Sequence, residues 1–83
     1  MEVRWSSTAT RTLVRSPKRA LIRQKISRLA DDPLSLGANV IRLQRRADYR
    51  LRVQDWRVIF RIEGDILWID EIVHRSTAYE DRT

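Results

Sequence analysis

The stretch 49–60, Y-R-L-R-V-Q-D-W-R-V-I-F, constrains the fold of this chain more than any other. Apolar and polar residues alternate with period two on both sides of Gln54-Asp55, the pattern of a half-buried β-hairpin. On the first arm Tyr49, Leu51 and Val53 share one face, and Arg50, Arg52 and Gln54 the other. On the second arm Trp56, Val58, Phe60 and Ile62 point one way, and Arg57, Ile59, Arg61 and Glu63 the other. A two-residue loop sets Val53 opposite Trp56, Arg52 opposite Arg57 and Leu51 opposite Val58. A longer loop would shift the register by one residue and move the arginines relative to each other. Asp tolerates the positive φ of tight hairpin turns, whereas Gln does not favour it. Like charges directly opposite destabilise a sheet. Gathering Arg50, Arg52 and Arg57 on one face therefore gives up some stability. Two accounts fit: a docking face for a polyanion, or a solvated face whose arginine stems cover apolar neighbours.

The rest of the chain supplies what the hairpin must pack against. Glu2–Trp5 reads as a short strand, with Val3 and Trp5 on one face. Ser6-Ser7-Thr8 offers several N-cap oxygens for a short helix through Val14, with Ala9 and Leu13 at i, i+4. Its formers are poor, because Thr8, Thr10 and Thr12 are β-branched, so tertiary packing must hold it. A second helix is expected from Ser16 as N-cap and Pro17 at its first position. Leu21, Ile22, Ile26, Leu29 and Ala30 form its core stripe, while Arg19, Arg23, Gln24 and Arg28 face outward. Asp32-Pro33 ends it. Residues 33–48 read as a connector anchored by Leu34, Leu36, Val40, Ile41 and Leu43, with a turn at Gly37. After the hairpin, Glu63-Gly64-Asp65 is a second turn. Residues 66–73 form a nearly continuous apolar strand interrupted by Asp70 and Glu71, one of which should face the basic side. The expected class is α+β in a single domain, 1–83. An N-terminal strand and an αα-hairpin precede a three-strand antiparallel meander, with the helix pair on one face and the arginines on the other.

Composition narrows the chemistry. The chain has 83 residues, no cysteine and one histidine. A Cys/His zinc site is excluded, and no cofactor is expected. With no apolar run near the ~18 residues of a membrane span and no signal-peptide core at the start, cytoplasm is the expected location. The net charge is +6, and Lys18 and Lys25 are the only lysines. Arginine forks match phosphate oxygens bidentately and stack on bases, which points first to nucleic acid or an acidic partner.

A basic sheet face suits an RNA strand. Cleaving RNA without a metal means attack by the 2′-OH on the adjacent phosphorus. That chemistry needs cations on the non-bridging oxygens, a group to accept the 2′-OH proton and an acid for the leaving 5′-oxygen. Arginines do the first job and cannot do the second. His74 and Tyr79 are the nearby titratable candidates, each balanced by a structural account: a strand-end hydrogen bond for His74, an aromatic anchor for Tyr79.

These residues carry a resemblance. Asp48-Tyr49-Arg50-Leu51-Arg52-Val53, Asp55-Trp56-Arg57-Val58-Ile59-Phe60-Arg61-Ile62, and His74-Arg75-Ser76 with Tyr79 beyond resemble the RelE/ParE superfamily of toxins from type II toxin–antitoxin pairs. The resemblance covers essentially the whole chain. RelE-like members are ribosome-dependent endoribonucleases that cut mRNA in the A site; ParE-like members share the fold and poison DNA gyrase. Carried over by position, the RelE reading makes Arg57, Arg75, Tyr79 and His74 catalytic and Arg50, Arg52, Arg45, Arg46 and Arg61 RNA-binding. Arg57 and Arg75 would stabilise the transition state, and Tyr79 would stack on a base or aid proton transfer. The implied partners are an antitoxin with an acidic or amphipathic C-terminal region and the ribosome with its mRNA. A toxin–antitoxin hetero-oligomer would bind operator DNA through the antitoxin. Two departures stand out. Arginines occupy positions where well-known family nucleases have lysines, and a lysine can be tuned to act as a base where arginine cannot. Gln54 stands where the family often has glycine. Retention of Tyr79 favours the RelE branch. The alternatives are a ParE-like gyrase inhibitor without nuclease activity and a non-toxic member that only completes a repressor complex.

Overall fold

The computed structural model describes residues 1–33, 35–43 and 48–76. Along the chain run β1 (Glu2–Trp5), α1 (Ser7–Arg15), α2 (Arg19–Asp31), a 3-10 turn (Gly37–Asn39), β2 (Val40–Arg42), β3 (Tyr49–Val53), β4 (Trp56–Glu63) and β5 (Ile66–His74). The described strands form one sheet in the order β1-β5-β4-β3-β2. The expected meander is β3-β4-β5. It is flanked by β1, which runs parallel to β5, and by β2, antiparallel to β3. The sheet is thus mixed and one strand wider than the sequence pattern indicates. The added strand, β2, lies inside the supposed connector.

Both helices cover one face. Ser6 starts α1: its Oγ accepts from the Ala9 N–H at 2.9 Å and donates to the Asp70 carbonyl at 2.7 Å. One side chain therefore caps the helix and ties it to β5, which offsets the poor propensity of its threonines. Ala9 and Leu13 are buried beneath it. The α2 stripe buries Ile22, Ile26, Leu29 and Ala30, with Leu21 half-buried. The expected cap of α2 is displaced. Ser16 already closes α1, donating its N–H to the Leu13 carbonyl at 3.0 Å. Its Oγ then accepts from the Lys18 N–H at 3.0 Å, and the helix begins at Arg19.

Beneath the helices, Leu51, Val53, Val58, Phe60, Leu67, Ile69 and Ile72 complete the core. Leu36 also joins it, whereas Ile41, expected as an anchor, is 48% exposed. A bulge explains how β5 contributes Leu67, Ile69 and Ile72 despite broken alternation. Ile59 faces Glu71 while Phe60 faces Ile69, so Asp70 is the extra residue. Both acids lie on the arginine side, Glu71 by its pairing with Ile59 and Asp70 by an ion pair to Arg61 at 3.0 Å. No helix among the described residues is long and apolar enough to cross a membrane.

Candidate nucleic-acid interface

The hairpin turn positions the arginines. Tyr49 pairs with Phe60, Leu51 with Val58, Arg52 with Arg57 and Val53 with Trp56, which is the register of a two-residue loop. Gln54 takes φ +55°, the positive value at the first central position that type II′ turns require. Arg57 folds back on this turn. Its Nη1 donates to the Gln54 carbonyl at 2.8 Å and to the Trp56 carbonyl at 3.0 Å. Arg75 is drawn to the same turn: its N–H donates to the Asp55 carbonyl at 2.7 Å and its Nε lies 3.6 Å from the Asp55 carboxylate. The turn therefore gathers two of the arginines assigned to the chemistry.

Arg50, Arg52 and Arg57 converge on a cavity of about 210 Å³ whose remaining lining is Asn39 and Ile41. Asn39 and Ile41 come from the edge formed by the 3-10 turn and β2. Sequence reasoning missed them, because three residues of strand are too few for a period-two signal. Arg52 is exposed, and Arg50 and Arg57 are half-buried. The lining contains no carboxylate, imidazole or lysine. It can hold an anion through charge-assisted hydrogen bonds, and it offers no ordinary proton acceptor.

The same face is not uniformly basic. Arg61, expected to bind RNA, is held by carboxylates: Nη1 lies 2.6 Å from Glu63 and Nε 3.0 Å from Asp70. Partial desolvation works against its charge, but the Asp70 and Glu63 carboxylates outweigh it and keep its pKa above the ordinary arginine value. Its guanidinium also sits over the Trp68 ring at 5.0 Å, and Arg4 sits over the same ring at 5.6 Å. Arg61 thus belongs to a structural cluster at the far end of the face. Between the two ends, Ile59 points away from the helices yet is only 8% exposed. Its neighbours by register are Arg50 and Glu71, with Arg57 and Arg61 along its own strand. Covering of apolar surface by long side-chain stems is therefore part of what this face does.

His74 is not brought to the arginines. It pairs with Trp56, which pairs with Val53, so it shares the helix side of the sheet. Its ring meets Trp56 edge-on at 5.2 Å, and Nδ1 lies 3.1 Å from the Ser76 hydroxyl. Val73, not His74, stands opposite Arg57. Tyr79, Arg45 and Arg46 lie outside the described residues. Among the described residues, no group of three or more His, Cys, Asp or Glu could hold a metal ion.

Comparison with known proteins places this arrangement. The fold is similar to that of the toxin in the RelB–RelE antitoxin–toxin complex from Methanococcus jannaschii, with 20% identity, 95% of this chain and 98% of that one covered, and a TM-score of 0.77. It is similar to YafQ from Escherichia coli, at 15% identity, 94% and 97% coverage and a TM-score of 0.77. It also matches a chain of the RelBE2 toxin–antitoxin complex from Mycobacterium tuberculosis, at 26% identity, 89% and 96% coverage and a TM-score of 0.63. No curated protein sequence matches significantly. The profile described as "ParE toxin of type II toxin-antitoxin system, parDE" matches residues 3–79. The fold, the hairpin arginines and this nearly full-length match agree: the chain belongs to the ParE toxin family of type II toxin–antitoxin systems.

Proposed function

We propose that this toxin is a RelE-like, ribosome-dependent endoribonuclease, neutralised by a cognate antitoxin. The observation that carries the reading is the convergence of Arg50, Arg52 and Arg57 on one small cavity of an open sheet face. Three fixed cations there suit a phosphate whose charge grows as the 2′-oxygen attacks. In that step the 2′-O–P bond forms and the P–O5′ bond breaks, leaving a 2′,3′-cyclic phosphate and a 5′-hydroxyl. The 2′-OH proton goes to an acceptor, and the departing 5′-oxygen takes one up. Arg57 and Arg75, gathered at the turn, act on the non-bridging oxygens. The acceptor comes from Tyr79 or from the RNA itself, since the cavity lining supplies none. A cleft with cations and no base gives a physical reason for needing the ribosome: the assembled RNA positions the 2′-OH and contributes the missing group.

The second reading is inhibition of DNA gyrase. The name of the matched family and the lack of a proton acceptor in the cavity both favour it. One experiment separates the two. The purified toxin is added to ribosomes translating a reporter mRNA, and new 5′ ends are mapped by primer extension; a parallel reaction follows gyrase supercoiling. The nuclease reading expects ribosome-dependent ends that vanish with Arg57→Ala. Loss of supercoiling with intact mRNA would replace it with the gyrase reading.

A further inference from the structure

The net charge of the molecule does not come from the face that holds the cavity. Residues 7–30 contain seven Lys or Arg and no Asp or Glu, whereas the rest of the chain holds ten against eleven. The whole positive excess therefore belongs to the helical layer, on the opposite side of the sheet. Six of the seven, Arg11, Arg15, Lys18, Arg19, Arg23 and Arg28, are exposed. The ion pairs among the described residues use Arg4, Arg61 and Arg75 and none of these seven.

This arrangement works against the helices that carry it. Neither has an acidic residue in its first turn, and α2 opens on Arg19, a cation at the positive end of the helix dipole. Arg11 and Arg15, and Arg19 and Arg23, are like charges at i, i+4. A layer that needed only solubility would mix both signs at no such cost.

We infer that the helical layer is a second binding surface for RNA, distinct from the arginine cavity, that grips the phosphate backbone of a structured RNA. RNA is favoured over an acidic protein by what the layer lacks. Val14 is the only large hydrophobic residue of this layer counted among those exposed. A protein interface is built around a desolvated apolar or aromatic centre. A nucleic-acid interface is polar and strongly positive and needs no such centre. Choosing RNA rather than DNA rests on the nuclease reading. The toxin then has two cationic sides, one for the strand to be cut and one for folded RNA around it.

The test uses the full-length toxin and a variant with Arg11→Gln, Lys18→Gln, Arg19→Gln and Arg23→Gln. Arg15 and Arg28, in the last turns of their helices, are kept because they favour the dipole there. Binding to a labelled RNA hairpin is measured by fluorescence anisotropy across a salt series, beside a short single strand. The variant should bind the hairpin about tenfold or more weakly, and the slope of log K against log salt should shrink by ~3–4. Single-strand binding should persist, and the unfolding midpoint should not fall. An unchanged hairpin affinity and salt slope would overturn the proposal. So would a variant that loses affinity for an acidic antitoxin while keeping its affinity for RNA, which would assign the layer to the protein partner. Cleavage on ribosomes is read from the same preparations. A parent that binds the hairpin through the helices but never cuts mRNA would remove the nuclease reading and leave this surface standing.

Discussion

Arg52→Glu should move stability and function in opposite directions. Arg52 and Arg57 stand directly opposite on β3 and β4, on one face of the sheet. Directly opposed like charges are destabilising, and opposite charges favour the sheet, by roughly 0.2–1 kcal/mol per pair. Replacing repulsion by attraction swings the balance by about 0.5–1.5 kcal/mol. The exposure of Arg52 puts the result toward the lower end, because solvent screens the pair. For a domain of this size about 1 kcal/mol moves the midpoint by ~4–8 °C, so a rise of a few degrees at low salt is expected. The rise should shrink in ~1 M salt, where charges more than ~3 Å apart are screened. Arg52→Gln, which only removes repulsion, should give about half the gain. The cavity, meanwhile, loses one of three cations and gains a carboxylate, so mRNA cleavage should fall below detection. Calorimetry at two salt concentrations and primer extension on the same samples make the measurement. A midpoint that drops at low salt would refute the electrostatic account of the hairpin. Full cleavage by the glutamate variant would refute the cavity as the phosphate site.

Two further perturbations test the fold. Gln54 holds φ +55°, which strains a residue with a side chain by roughly 1–2 kcal/mol; Gln54→Gly should therefore stabilise the protein by about 0.5–1 kcal/mol, seen as a higher urea midpoint at constant slope. Phe60, 1% exposed and stacked on Tyr49 at 5.5 Å, anchors the sheet under the helices; Phe60→Ala should cost about 3–5 kcal/mol by urea unfolding, enough to leave a small domain largely unfolded.

The hairpin was legible because two opposed signals agreed. Strict alternation on both arms fixed the faces, and the two-residue turn fixed Arg52 opposite Arg57. The apolar stripe of α2 was equally plain, since Ile22, Ile26 and Leu29 recur at helical spacing. What escaped depended on partners distant in sequence. β2 is three residues long and exists because β3 offers it a ladder. The bulge at Asp70 is invisible in β5 alone, and it reset the alternation that would have placed one acid, not two, on the outer face. His74 was assigned by proximity in sequence to Arg75; its pairing with Trp56 turns it to the other side. Arg61 looked like its neighbours until Glu63 and Asp70 were seen to hold it.

The parallel pairing of β1 with β5 bears on how the protein is completed during synthesis. Ser6 reaches Asp70 across 64 positions of chain, and its N–H donates to the Ile69 carbonyl at 2.9 Å. The two helices and the β3–β4 hairpin rest on neighbours close in sequence and can form early. β1 has no partner until β5 has been made, and Ser6, at the start of α1, waits for the same strand. A growing chain therefore assembles its arginine cavity from nearby segments while its hydrophobic edge stays open. In that interval the unpaired β1 and uncovered β4 expose the protein to wrong pairings, and a partner that shields them would act as a folding aid before it acts as an inhibitor.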